Sequence, residues 1–193
     1  MSKGIRIKNI CKSFGEKTVL DNFSMDLKSG EITCIKGPSG YGKTTLLRII
    51  AGLETADSGT VEKEEGSIAF VFQEDRLAED FNAVTNIRLV TGKKLSNDEI
   101  CAHLEEIGLT DDLNKPVRKF SGGMKRRVAI ARAVCSDADY LLMDEPFKGL
   151  DEKLKSEVMD YVKRHSAGKT VVFVTHDPAE AEYMGGRQII LGE

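Results

Sequence analysis

One stretch of the sequence has the residue types and spacing of a phosphate-binding loop. Gly37, Gly42, Lys43 and Thr44 match the pattern G-x-x-x-x-G-K-[ST]. The glycines of such a loop let backbone N–H groups approach phosphate oxygens, the lysine reaches the outer phosphates, and the threonine hydroxyl binds Mg²⁺. The stretch therefore predicts a nucleotide site, formed by Gly37, Pro38, Ser39, Gly40, Tyr41, Gly42, Lys43, Thr44 and Thr45.

The segments on either side of this loop favour the same interpretation. Residues 31–36 are short and apolar enough for a buried strand, and residues 46–51 are typical of the start of a helix. A chance glycine-rich loop is the alternative. A strand that leads through glycines into a helix places backbone N–H groups at the positive end of that helix, where polyphosphate binds.

Three further apolar segments, each predicted to be a strand, are followed by polar residues. These residues are Gln73, the pair Asp144 and Glu145, and His176. Each is unremarkable alone, since many strands end in a polar residue and a lone histidine is more often structural. Ligands of parallel α/β sheets, however, bind at the carboxyl ends of the strands. We therefore expect Asp144 to bind Mg²⁺ and Glu145 to polarise a water molecule beside the phosphate loop.

Ser121 precedes two glycines and an apolar helix, and this stretch has two interpretations. It is either an ordinary helix capped by Ser121 or a second anion-binding helix N-terminus with Arg126 and Arg127 one turn in. Gly122 and Gly123 would each destabilise a helix interior by about 1 kcal/mol. That cost favours a close approach of the backbone to a ligand.

The first 30 residues predict several antiparallel strands, at 5–10, 18–20 and 23–27. Phe14 lies at the turn between two of them. Its ring either belongs to the core or stacks on a nucleotide base, and the sequence leaves both alternatives open.

Residues 77–115 are charged and helical in pattern. Ile100, Leu104 and Ile107 share one helix face, and Ser96 or Asn97 is the predicted cap. We find no catalytic candidate here and interpret the segment as a small helical insert that can serve as a docking surface.

The composition predicts one domain and limits its partners. The 193 residues are 40% hydrophobic with a formal net charge of −3, which gives no support for bulk nucleic-acid binding. The apolar runs are too short to span a bilayer and the start has no apolar signal core, so a cytosolic protein is expected. The four cysteines are expected to be buried small hydrophobes.

Taken together, these motifs resemble the nucleotide-binding subunit of an ABC transporter, and the resemblance covers nearly the whole chain. It implies a single ABC-type ATPase domain over residues 1–193, an α/β fold with a P-loop NTPase core and a parallel sheet. An N-terminal antiparallel β subdomain and a small helical subdomain, inserted at roughly residues 74–120, would complete it. The matching motifs are the Walker A loop (37–44), the Q-loop (Gln73), the signature (121–124), the Walker B pair (144–145), the D-loop (149–151) and the switch histidine (His176).

The resemblance also implies a role for each residue. Lys43 and the loop amides would hold the phosphates of ATP, with Glu145 as general base and His176 on the γ-phosphate. Phe14 would stack on adenine. Mg²⁺ would be organised by Thr44, Gln73 and Asp144. Two subunits, in a homodimer or pseudo-dimer, would close head to tail, each covering the other's nucleotide with Ser121, Gly122, Gly123 and Met124.

The implied partners are an integral membrane permease and an extracytoplasmic solute-binding protein. The permease would hold the chain at the inner face of the cell membrane. Met124 replaces the usual glutamine of the signature. The Met-type signature and the 70–77 segment look most like the nitrate, sulfonate, taurine and thiamine-precursor importer group. The alternative is a soluble ABC-type ATPase that remodels protein or nucleic acid.

Overall fold

A five-stranded parallel sheet forms the centre of the molecule. The computed structural model describes residues 4–110 and 113–192. The eight strands are β1 (Ile5–Phe14), β2 (Lys17–Leu27), β3 (Ile32–Lys36), β4 (Ser58–Lys63), β5 (Ile68–Val71), β6 (Tyr140–Asp144), β7 (Thr170–Val174) and β8 (Arg187–Ile190). The parallel sheet has the strand order β5-β6-β7-β3-β8. The helices are α1 (Lys43–Ile50), α2 (Ala83–Thr91), α3 (Asn97–Glu106), α4 (Gly122–Cys135), α5 (Glu152–His165) and α6 (Pro178–Met184), with a 3-10 turn at Val117–Lys119.

The parallel sheet separates two apolar cores. Every residue of β6 and β7 is buried, as expected for strands covered on both faces. Side chains alternate between the faces: Leu141 and Met143 pack in one core with α4 and α5, and Leu142 packs in the other with α1 and the antiparallel strands. The confirmed architecture is thus an α/β parallel sheet accompanied by a separate antiparallel sheet.

The antiparallel sheet has the order β2-β1-β4. The prediction of two short strands at 18–20 and 23–27 was wrong, because β2 is continuous from Lys17 to Leu27. Asn9 and Asn22 adopt φ angles of 50° and 47°, and the Asn9 side-chain amide donates to Oδ1 of Asn22 at 2.7 Å. These two left-handed residues lie at two of the three register shifts between β1 and β2, and pairing resumes beyond each shift.

The segment between β5 and α4 is helical, as predicted. Ser96 caps α3 in a complete capping box with Glu99. Ile100, Leu104 and Ile107 are all fully buried, which confirms the predicted apolar face. The 3-10 turn follows, and α2, α3 and α4 pack together.

Two other sequence expectations concern the burial of the cysteines and the presence of membrane-spanning segments. Cys34 and Cys135 are buried, whereas Cys11 and Cys101 are only half-buried, so the expectation of four buried cysteines was wrong for two of them. Among the described residues, none of the helices has the length and apolarity needed to cross a membrane.

Candidate nucleotide-binding and catalytic site

The sheet topology brings the predicted polar residues to one edge. The phosphate loop leaves the end of β3, and β3 pairs with β7, which pairs in turn with β6. Asp144 is the last residue of β6 and lies opposite Val174, the last residue of β7. The loop, the carboxylate pair and His176 therefore follow the carboxyl ends of three neighbouring strands.

The phosphate loop is a tight backbone cradle around the Lys43 ammonium group. Nζ of Lys43 donates to the carbonyl oxygens of Gly37 and Pro38, both at 2.7 Å. Gly42 has a φ of 79°, and a Cβ at that position would lie 2.4 Å from the carbonyl oxygen of Val19. Only glycine fits this approach, so the hairpin strand β2 supports the loop from behind.

A cleft of about 460 Å³ opens at this edge of the sheet. The predicted site residues that line it are Phe14, Ser39, Gly40, Gly42, Lys43, Thr44, Thr45, Gln73 and Glu145. The ring of Phe14 is 51% exposed, so it lies in the cleft wall and outside the core. Tyr41 is also exposed, and it packs beside Gly192 at the end of the described chain.

Asp144 has the environment of a metal ligand. It is 2% exposed, and within the described residues its Oδ1 has no hydrogen-bond partner. Burial raises the pKa of this carboxyl group; a hydrogen bond from Thr44 opposes the rise, and the charge of Glu145 adds to it. A buried, unsatisfied carboxylate oxygen beside a threonine hydroxyl fits Mg²⁺, which prefers hard oxygen ligands.

Glu145 adopts a left-handed conformation that directs its carboxylate into the cleft. Its φ is 47°, and its N–H donates to the carbonyl of Val174 at 3.0 Å. Nζ of Lys148 lies 2.9 Å from Oε2, and Nδ1 of His176 lies 3.4 Å from Oε1. Burial raises the pKa of Glu145, but Lys148 and His176 outweigh it and hold the pKa below its ordinary value. The carboxylate is therefore kept ionised, as a general base must be.

Two arginines of α4 hold backbone carbonyls. Arg126 donates to the carbonyl of Phe72 at 2.6 Å and to that of Gln73, and its Nε lies 3.3 Å from Oδ1 of Asp75. Arg127 donates to the carbonyl of Gly108 at 2.7 Å. Both guanidinium groups are thus occupied by backbone carbonyls of the same chain.

The signature residues form the start of α4 and do not line the cleft of their own chain. Oγ of Ser121 accepts a hydrogen bond from the Met124 N–H at 3.3 Å, so Ser121 caps α4. None of residues 121–124 is among the described residues that line the cleft. A Cβ on Gly122 would meet nothing within 4 Å, so packing within the chain gives no reason for a glycine there.

Two charged residues of the site were missed from the sequence, Lys17 and Lys148, and the role of Arg126 was missed as well. Arg126 holds carbonyl oxygens, which every residue carries and no sequence pattern marks. Lys17 lines the cleft from the β1–β2 hairpin, with its Nζ 3.1 Å from where a Cβ of Gly40 would lie. Lys148 had a usable signal, because it follows the predicted base Glu145 by three residues.

A phosphate loop on a parallel sheet, with an ionised carboxylate and a histidine at the same edge, defines a P-loop nucleoside triphosphatase. The ABC transporter family model matches residues 20–148. The chain belongs to the ABC transporter family, as an ATP-binding cassette that hydrolyses ATP.

Known proteins similar to this chain agree with that assignment. The aliphatic sulfonates import ATP-binding protein SsuB 2 of Pseudomonas syringae pv. tomato is 40% identical over 185 residues, which are 94% of this chain and 79% of that protein. The spermidine/putrescine import ATP-binding protein PotA of Thermotoga maritima is 39% identical, over 98% of this chain and 56% of that protein. The dimeric cassette MJ0796, solved after hydrolysis with ADP and Pi bound, superposes with a TM-score of 0.84 at 31% identity, covering 97% of this chain and 94% of that one.

Proposed function

We propose that this chain is the ATPase subunit of an importer and acts on a separate integral membrane permease. The support is that its relatives named above are import ATP-binding proteins. The chain would bind to the permease at the inner face of the membrane, and the system would include an extracytoplasmic solute-binding protein. The helical insert, at roughly residues 74–120 of a single domain spanning 1–193, would be the docking surface.

We propose that this chain belongs with the sulfonate-type importer group. Three sulfonate importer proteins are each 40% identical to this chain. The polyamine importer proteins follow closely at 36–39%. Because cassettes this similar serve different solutes, the choice of solute belongs to the other subunits.

The catalytic unit we propose is a head-to-tail dimer. The single observation that carries this is that Ser121 and Gly122 are exposed at the start of α4, where packing within their own chain gives no reason for a glycine. The signature of one subunit would close over the nucleotide of the other, with Ser121 and the N–H groups of α4 facing its phosphates. The similar cassette MJ0796 has been solved as a dimer in two structures.

Within each site, the residues divide the work of hydrolysis. The N–H groups of the phosphate loop and Nζ of Lys43 would bind the phosphates, and the exposed ring of Phe14 would stack on adenine. Thr44, Gln73 and Asp144 would hold Mg²⁺, which neutralises phosphate charge when bound.

In the proposed site, hydrolysis uses a general base for the attacking water and a side chain that contacts the γ-phosphate. Glu145 would accept a proton from the attacking water, and its ionised state is maintained by Lys148 and His176. His176 is 3.4 Å from that carboxylate and would contact the γ-phosphate from the same side.

Replacing Glu145 by glutamine tests the proposed site and the dimer together. Glu145→Gln keeps the shape of the side chain but removes the base, so we expect ATP binding to persist and steady-state hydrolysis to fall by about 100-fold or more. The variant should elute as a dimer in size-exclusion chromatography only with ATP. Glu157→Gln, an exposed glutamate on α5, is the matched control. Near-normal turnover of Glu145→Gln would refute the base assignment.

The permease proposal needs its own test. The chain would be recovered from detergent-solubilised membranes of its source, and the proteins that copurify identified. A multi-span protein in stoichiometric amount is the expected result. Soluble partners alone would instead support an ATPase that remodels protein or nucleic acid.

A further inference from the structure

Two of the chain's three histidines meet outside the nucleotide site. His103 and Glu106 lie one turn apart on α3, and His165 is the last residue of α5. One ligand atom from each of the three side chains lies within 4.8 Å of the other two. It is the one group of three or more such side chains found among residues 4–110 and 113–192. The cluster joins the helical insert to the sheet core, because α3 belongs to the insert and α5 to the core.

The side chains of this cluster are already oriented towards one another. Nε2 of His165 lies 2.9 Å from Oε2 of Glu106, and the rings of His103 and His165 are 4.7 Å apart at their centroids. Two nitrogens bound to one tetrahedral zinc ion are about 3.3 Å apart. Side-chain rotations that move the ligand atoms by about an ångström would therefore bring the three groups to coordination distance.

A buried tyrosine supports the cluster from beneath. Tyr161 is fully buried, and its hydroxyl lies 3.0 Å from Nδ1 of His103 and 3.7 Å from Sγ of Cys135. Its ring also contacts that of His165, with centroids 4.7 Å apart. A hydrogen bond to the second ring nitrogen is the usual feature that fixes the tautomer and the plane of a metal-binding histidine.

We propose that His103, Glu106 and His165 form a binding site for a divalent transition-metal ion of the zinc class. Two imidazoles and one carboxylate are a donor set that suits Zn²⁺ and Co²⁺, whereas Mg²⁺ and Ca²⁺ require mainly oxygen ligands. The three side chains are partly exposed, so an ion can enter and a water molecule can complete the coordination. A bound ion would tie α3 to the end of α5 and oppose movement of the helical insert against the core.

Arg164 is the competing partner in this cluster. Its Nη2 lies 3.2 Å from Oε2 of Glu106, in a bridge whose arginine side chain is 62% exposed. Exposed pairs of this kind contribute little, and the arginine can move to solvent while the carboxylate binds an ion.

The test is a metal titration of the full, untagged chain without nucleotide and with excess Mg²⁺ to occupy hard-oxygen sites. Binding of Zn²⁺ is measured by calorimetry, and Co²⁺ is used as the spectroscopic probe. We expect one ion per chain, d–d absorption typical of a four-coordinate site, and a thermal midpoint that rises with Zn²⁺. His103→Gln and His165→Gln should each weaken Zn²⁺ binding by about tenfold or more. Glu106→Gln should weaken it as well.

The remaining histidine provides the control. His176→Gln removes the imidazole outside the cluster and should leave Zn²⁺ affinity unchanged. Circular dichroism of each variant checks that it is folded. Equal Zn²⁺ affinity in the wild type and both cluster histidine variants, or intense thiolate charge-transfer bands with Co²⁺, would overturn the proposal, since either result places the ion elsewhere.

Discussion

Lys148 holds the carboxylate of Glu145, with Nζ 2.9 Å from Oε2. The lysine side chain is 54% exposed and the glutamate 17%, so a solvent-facing cation steadies a carboxylate inside the cleft. This contact opposes the effect of burial on the pKa of Glu145. It links the proposed general base to the chain that leads from Walker B to α5.

Lys148→Met should move the acid limb of the ATPase pH–rate profile to higher pH. Without the lysine, burial has less opposition, the pKa of Glu145 rises, and a higher pH is needed to keep the base ionised. We expect the acid limb to move to higher pH, with a smaller rate change on the alkaline side. Lys153→Met, at an exposed position on α5, should leave the profile in place. An unmoved acid limb in Lys148→Met would show that the contact does not tune the base.

Lys43→Ala should weaken ATP binding itself. The variant removes a buried ammonium group that the loop carbonyls place at the phosphate cradle. A charge-assisted hydrogen bond contributes about 1.5–3 kcal/mol, so we expect ATP affinity to fall by about 10- to 100-fold in a titration with a fluorescent nucleotide. Lys28→Ala, a surface control, should bind normally. Unchanged affinity in Lys43→Ala would refute the phosphate role.

Arg126→Met should destabilise the fold and reduce ATPase activity together. Arg126 is 7% exposed, and its loss leaves the carbonyls of Phe72 and Gln73 without their donor and the Asp75 carboxylate without its ion-pair partner. We expect the free energy of unfolding in urea to fall by about 2–3 kcal/mol. Arg118→Met removes an arginine from an exposed pair with Asp80 and should cost less than about 1 kcal/mol. Equal losses in the two variants would contradict the proposed support of Gln73.

Lys155→Met should lower stability by about 3 kcal/mol at pH 7, because it leaves buried Glu180 without a cation. Hydrogen bonding to Glu152, against an opposing effect of burial, raises the pKa of Lys155 from 10.5 to about 12. The stabilisation that accompanies this raised lysine pKa is fully present below the unfolded pKa of 10.5 and is lost as the pH rises through about 12. The difference in unfolding free energy between wild type and variant should therefore be constant from pH 7 to pH 10 and shrink above that.

At acid pH the comparison between wild type and Lys155→Met depends on Asp177, whose pKa is lowered rather than raised. Burial raises the pKa of Asp177, but the N–H of Ala179 and the Lys155 ammonium outweigh it and hold the pKa low. That contribution is present above the unfolded value of 3.8 and is lost as the pH falls through the folded pKa. The difference in unfolding free energy between wild type and Lys155→Met should shrink in urea unfolding as the pH falls below 3.8. A difference that does not depend on pH would argue against charge as its source.

The sequence predicted elements whose signals are local. The strand–loop–helix around Lys43, the capped apolar face of α3 and the polar ends of three strands all depend on residues within a few positions of one another. The contacts it could not predict join distant residues or use backbone atoms. Arg126 reaches the carbonyl of Gln73, 53 residues earlier, and His165 reaches Glu106 across 59 residues. The continuous β2 strand was missed because its irregularity is accommodated by Asn22, whose left-handed φ leaves no clear mark in an alternating pattern.

The position of β3 in the sheet determines when the phosphate loop can form during synthesis. Its neighbours are β7 and β8, which begin at residues 170 and 187, whereas β3 ends at residue 36. During synthesis on the ribosome, both edges of β3 therefore remain unpaired until nearly the whole described chain has emerged. ATP then stabilises only a chain in which β7 and β8 have already been made. The hairpin of β1 and β2, whose contacts are local, is the part of the cleft that can fold early, and it would receive the phosphate loop last.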